Sequence, residues 1–151
     1  MAADARLQAW FTFLQAHEAV TDSLDADLRS RTRLTLSDYE VLLWLARASG
    51  GGLRMADLAD RVLLTASGTT RAVERLERDG LVRRASDPGD GRATLVSLTP
   101  AGRKTFRAAA SVHLEGVRAR FLNALTDREA VLLRSMSAKV LAVNGREERL
   151  L

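Results

Sequence analysis

The strongest constraint on the fold of this 151-residue chain lies between Thr65 and Gly102, where helical periodicity stops at a glycine and strand periodicity takes over. With one residue per 100°, the Thr69 methyl, Ala72, Val73 and Leu76 fall on one side of a helix, and Ser67, Thr70, Arg71, Glu74, Arg75 and Arg78 on the other. One side packs and the other presents charge. Thr65 or Ser67 can cap the free N–H groups at the start, and Gly80 stands where a left-handed residue ends a helix of about four turns at most. Beyond it, Leu81-Val82-Arg83-Arg84 leads into Asp87-Pro88-Gly89-Asp90-Gly91-Arg92, and Thr94 to Leu98 resume with β-branched and apolar residues, a hairpin pattern. Pro88 and two glycines give a tip without side-chain bulk that suits a narrow groove. Asp87 or Asp90 can hold the Arg92 guanidinium through a bidentate pair.

A second short helix precedes this one, from Met55 to Val62, with Leu58 and Val62 as an i, i+4 pair and Met55 extending the same side. Leu63-Leu64-Thr65 is the turn. Two helices joined by about three residues, the second bearing the polar face, predict a helix-turn-helix whose second member enters a DNA major groove. An arginine stripe alone is an ordinary solvated face, and a Pro-Gly turn alone is only a turn. Their order in tandem is what points to a reader of nucleic acid.

Composition sets the surroundings. The length and the 46% hydrophobic content suit one globular domain with a real core. The net charge is +4 but unevenly placed: residues 1–30 carry two arginines against five acids, while 93–125 carry five basic residues against Glu115. A sequence pI near 10.5 fits a polyanionic partner and equally a plain basic protein. The lack of cysteine excludes disulfides and thiol-based oxidant sensing, and two histidines, His17 and His113, give no dense metal-ligand spacing. No cofactor is implied. No apolar run approaches the roughly 20 residues that span a bilayer and no signal peptide opens the chain, so a cytoplasmic protein is expected. Catalysis is disfavoured, since no nucleophile elbow, phosphate loop or paired-carboxylate motif surrounds the available hydroxyls and imidazoles.

The flanks read as helices of another purpose. Between Ala5 and about Arg31, Leu7, Trp10, Phe11, Leu14, Leu24 and Leu28 form an apolar stripe with His17 and Thr21 in its gap. A helix from Ser37, with Glu40 completing a capping box, buries Val41, Leu42, Trp44 and Leu45 and runs to the Gly50-Gly51-Gly52 connection. Thr99-Pro100 opens a long helix through Phe106, Val117 and Phe121. Thr126-Asp127-Arg128-Glu129 caps the last, on which Leu133, Met136, Val140 and Val143 share a face. The charged tail from Asn144 closes on Leu150-Leu151, which could pack on a partner. Apolar stripes at both ends around a compact middle predict a homodimer, whose two readers about 34 Å apart would match half-sites one helical turn apart.

The sequence resembles the MarR family of bacterial transcription regulators at several separate places. Leu34-Thr35-Leu36-Ser37-Asp38-Tyr39 with Leu42 and Leu45 is similar to the entry of the family's second helix, and Asp57-Leu58-Ala59 to its third. Thr70-Arg71 and the run Arg75-Leu76-Glu77-Arg78-Asp79-Gly80-Leu81-Val82-Arg83-Arg84 resemble its recognition helix and first wing strand. Asp87-Pro88-x-Asp90-x-Arg92 and Leu98-Thr99-Pro100-Ala101-Gly102 resemble its wing and the next helix. The resemblance implies a mainly α fold with a small β wing: a winged helix-turn-helix over about 35–99, flanked by dimerisation helices over about 5–31 and 100–143, all within one domain spanning 1–151. It also implies a repressor released by a small aromatic or phenolic effector.

On this reading Ser67, Thr70 and the N–H groups at the helix start hold phosphates, while Arg71 and Arg75 reach base edges, guanine above all. Arg92 enters the flanking minor groove, where narrow A·T-rich segments concentrate negative potential. Arg78, Arg84 and Asp90 complete the expected DNA-binding set. Glu74 either accepts from cytosine or braces Arg71 and Arg78. For an effector, Trp10, His17, Tyr39 and Trp44 are available, each also explicable as an ordinary core or interface residue, and no ligand residues are assigned. A winged helix used for protein contact, or a nonspecific architectural DNA binder, is the competing reading.

Overall fold

The computed structural model describes residues 4–148, so Leu150-Leu151 lies outside the described residues. The element order is α1 (Ala5–Thr32), α2 (Leu36–Arg47), β1 (Leu53–Arg54), α3 (Met55–Arg61), α4 (Ala66–Arg78), β2 (Val82–Asp87), β3 (Asp90–Leu98), α5 (Pro100–Arg120), a 3-10 turn at Leu122–Ala124, and α6 (Asp127–Val143). The three strands form one antiparallel sheet in the order β1-β3-β2.

The helix boundaries follow from local chemistry. Thr65 caps α4, its hydroxyl accepting from the Gly68 N–H at 3.1 Å, and Gly80 beyond the other end takes φ 71°, a left-handed conformation that glycine adopts without Cβ strain. Thr99 caps α5 with Pro100 in its first turn, and Thr126 with Glu129 makes the capping box of α6. The start of α2 differs from expectation. Thr35, rather than Ser37, is the cap, and Asp38, rather than Glu40, closes the box. The box therefore takes the Asp38 and Thr35 N–H groups, each at 3.0 Å, and Glu40 is released to accept the Leu63 N–H at 2.7 Å, holding the turn between α3 and α4.

The core gathers Leu28 from α1, Val41, Leu42 and Leu45 from α2, Leu58 from α3, Ala72, Val73 and Leu76 from α4, Val82 and Val96 from the sheet, and Ala109 and Val112 from α5. All four residues placed on the packing side of α4, Thr69 among them, are buried. Burying a side chain such as Leu76 stabilises the fold by about 1.5–3 kcal/mol. α5 starts against the turn that follows α4: the Thr99 N–H donates to the Leu81 carbonyl at 3.0 Å and the Thr99 hydroxyl to that of Gly80 at 2.7 Å. Farther on, α5 packs along α1, with Gly116 opposite Leu24 and ion pairs Arg31–Glu115 and Arg120–Asp27, each at 2.6 Å.

Of the apolar stripes at the two ends, only Leu24 and Leu28 of α1 are buried. Residues 4–19 are exposed throughout, Trp10 and Phe11 by more than half, and among the described residues α6 buries none of its side chains. Trp10 is thus no ordinary core tryptophan, and His17 is exposed beside Phe13 rather than inside. No described helix is long and apolar enough to cross a membrane.

Candidate nucleic-acid interface

Because Thr69, Ala72, Val73 and Leu76 are spent on the core, α4 turns Ser67, Thr70, Arg71, Glu74 and Arg78 outward. Arg71 lies back along its own helix, its Nε donating to the Ser67 carbonyl at 3.3 Å. That position puts a guanidinium beside the first turn, where the free N–H groups and the positive end of the helix dipole already favour an anion. The Thr70 hydroxyl donates to the Ala66 carbonyl at 3.1 Å and keeps its lone pairs outward. Glu74 makes no ion pair among the described residues, so it braces neither Arg71 nor Arg78.

Two arginines of the expected set are engaged within the protein. Arg75 Nη2 donates to Asp38 Oδ1 at 2.8 Å, across to α2. Arg84 pairs with Glu77 at 2.7 Å, and a second bond runs from the Arg84 N–H to Glu77 Oε1 at 3.2 Å. The Arg84 guanidinium holds the Glu77 carboxyl below the usual carboxylate range. This pair fastens the C-terminal half of α4 to the first wing strand.

The wing departs from expectation in one contact. Strands β2 and β3 are longer than the sequence pattern suggested and close on Pro88-Gly89, with Asp87 paired to Asp90. Asp87 does not hold Arg92. One of its oxygens accepts the Gly89 N–H at 2.8 Å and the other takes Arg54 Nε at 2.5 Å, from β1. The Gly89 amide first, and then Arg54, hold this carboxyl below its ordinary range. Asp90 accepts the Arg92 backbone N–H at 3.1 Å, not its guanidinium. A carboxylate two residues before an amide reaches that amide more easily than a side chain folded back over a tight turn, which is why the local bond forms. Among the described residues the Arg92 guanidinium has no partner, and it is exposed at the tip. An unneutralised arginine on an exposed hairpin is available to a phosphate or a groove floor.

Three residues outside the expected set shape this surface: Asp38, Arg54 and Glu77. Thr35-x-x-Asp38 is a capping-box spacing readable in the sequence. Nothing in the sequence marks the Arg54–Asp87 pair, whose members lie 33 residues apart and meet only when β1 joins the sheet.

The four effector candidates do not converge. Tyr39 is buried between α2 and α5, 4.3 Å from the His113 ring and 5.9 Å from that of Phe106. Trp44 stacks under Arg61 at 5.8 Å, and Trp10 and His17 lie on the exposed half of α1.

A helix-turn-helix with an exposed polar second helix, followed by a two-stranded wing carrying a free arginine, is a winged helix-turn-helix. Comparison with known proteins narrows the class. A family model described as the MarR family matches residues 34–93. The transcriptional regulator HosA of Escherichia coli is 32% identical over 108 residues, 72% of this chain and 78% of HosA. The crystal structure of AbsC, a MarR family transcriptional regulator of Streptomyces coelicolor, superposes with a TM-score of 0.86 at 30% identity, covering 97% of this chain and 99% of AbsC. That of Sco3205, a MarR family regulator from the same organism in complex with DNA, gives 0.85 at 30% identity over 93% of this chain and 88% of Sco3205. This chain belongs to the MarR family, a family of transcription regulators and not of enzymes.

Proposed function

We propose that the protein binds a pseudo-palindromic double-stranded operator as a homodimer and represses transcription there. The observation that carries this reading is the set of exposed cations on α4 and the wing, Arg71, Arg78 and Arg92, none of them paired with a carboxylate among the described residues. Ser67, Thr70 and the first-turn amides hold phosphates, Arg71 reads a base edge in the major groove, and Arg92 enters the minor groove at the flank. Arg78 adds a backbone contact near the end of α4. Arg84 and Asp90 act from behind, the first by fixing the wing strand to α4 and the second by shaping the tip. Likeness to a relative solved with DNA supports the same docking.

The dimer is supported by the exposed apolar residues of α1 and α6, surfaces that water alone does not favour. Release by a small aromatic or phenolic effector belongs to this reading. It requires that the effector prefer the reader spacing that does not fit DNA by about 1–3 kcal/mol.

The test is selection of bound fragments from total genomic DNA, followed by titration of the recovered site against random duplex at physiological salt. We expect the site to bind at least ~10³-fold more tightly. Equal affinity would instead support an architectural role, and no binding to either would support a protein partner. In the same titration Arg92→Ala should weaken binding and reduce the slope of log affinity against log salt by about one phosphate contact. An unchanged slope would remove Arg92 from the interface.

A further inference from the structure

The first turn of α2 is gripped from two directions at consecutive backbone amides. The Thr35 N–H donates to Asp38 Oδ2 at 3.0 Å, which completes the capping box. The Leu36 N–H donates to Asp25 Oδ1 of α1 at 2.7 Å, and the other oxygen of Asp25 takes Arg29. Capping needs only one oxygen of Asp38. The second, Oδ1, accepts from Arg75 Nη2 at 2.8 Å, and Asp38 is only 6% exposed. A carboxylate this deeply placed is costly unless it is hydrogen-bonded and paired, and here it is both.

Arg75 is the recognition-helix residue at the other end of this bond. Its side chain keeps 41% exposure, yet its Nε is buried with no partner among the described residues and its Nη2 is committed to Asp38. Bidentate recognition of a guanine needs two N–H groups of one guanidinium presented together, free and outward. The Nε–Nη2 edge of Arg75 is turned into the protein.

We propose that Asp38 is a positioning residue for DNA reading: through Arg75 it fixes the angle of α4 on α2, and through the shared first turn and Asp25 it ties that angle to α1. Arg75 is then a strut, and the reading falls to the residues around it. Displacement of α1 relative to α2 reaches the recognition helix through three side chains, Asp25, Asp38 and Arg75, and one turn of backbone. The inference rests on the DNA-binding reading above and deepens it, since it names how the pose of the reader is joined to the helix that carries the exposed apolar stripe.

The test compares Asp38→Asn, Arg75→Gln, the double variant and Asp25→Ala, which removes the acceptor of the Leu36 N–H. Asp38→Asn retains an oxygen for the Thr35 N–H and removes the charge that holds Arg75. Affinities for the selected operator and for random duplex are measured over a salt series, with hydrogen exchange of the α4 amides in the free protein. Each single variant should lower the ratio of operator to random affinity by about tenfold, leave the random affinity and the salt slope unchanged, and speed exchange in α4. The double variant should equal either single one, because both break the same bond. A salt slope reduced by about one in Arg75→Gln, with additive losses in the double variant, would make Arg75 a DNA contact and overturn the proposal. So would an Asp38→Asn variant with unaltered α4 exchange and an unaltered ratio. If the wild-type protein itself shows no operator preference, the DNA-binding reading fails, and α4 exchange still decides whether Asp38 positions the helix.

Discussion

His113 shows how a single residue carries a pH signature. Its ring stacks on buried Tyr39, its Nδ1 is buried without a partner among the described residues, and burial pushes the imidazole pKa below its ordinary value. The unfolded chain takes up a proton near pH 6.5, whereas the folded chain resists it until the pH is lower. Between those two values the unfolded state binds more protons, so stability is full above the unfolded pKa and declines as pH falls through the window. The melting temperature should therefore drop as the pH falls below about 6.5, and His113→Phe, which keeps a ring against Tyr39, should flatten that drop. A parallel decline in the variant would assign the effect elsewhere. The carboxylates held low, Asp25 and Glu129 among them, titrate below this window and do not confuse it. At this scale the sequence read side-chain roles well where partners are local, as with Thr65, Gly80, Thr99 and Thr126. It misread Arg92 because Asp87 had a competitor, Arg54, that no local pattern reveals.

Among the elements, the recognition helix was legible almost to the residue, since four packing positions at helical spacing between a cap and a left-handed glycine leave little freedom. Strand β1 was not. Two residues carry no periodicity, and Leu53 and Arg54 become a strand only by pairing with Val96 and Leu95 of β3. The junction of α4, β2 and α5 is set by a close approach at Gly102, where an added Cβ would lie 1.8 Å from the Leu81 carbonyl oxygen. Backbone cannot yield as a side chain does. Gly102→Ala should cost about 1–3 kcal/mol in denaturant unfolding. Gly116→Ala, whose Cβ would meet the flexible end of Leu24 at 2.6 Å, should cost less. Equal losses would show that α5 can slide along the turn.

For the whole molecule, the decisive fact is apolar surface that the chain does not bury against itself. Val131, Leu132 and Val140 on α6 are 70%, 58% and 61% exposed, and Trp10 and Phe11 on α1 are 53% and 54% exposed. A helix of 17 residues that buries none of its described side chains has little to stabilise it in water except a partner surface. On the proposed dimer, the double variant Trp10→Glu, Val140→Glu should sediment as a monomer, with operator affinity reduced about 100-fold through loss of the second half-site. A dimer that survives this change would place its interface elsewhere. The sequence by itself determined the winged helix-turn-helix, because periodicity, caps and turn glycines are local rules that act over a few residues. The tertiary structure alone decided which charges are free. Whether an arginine meets Asp38, Glu77, Asp87 or solvent depends on which distant elements fold against it, so Arg75 and Arg84 became struts while Arg71 and Arg92 stayed open.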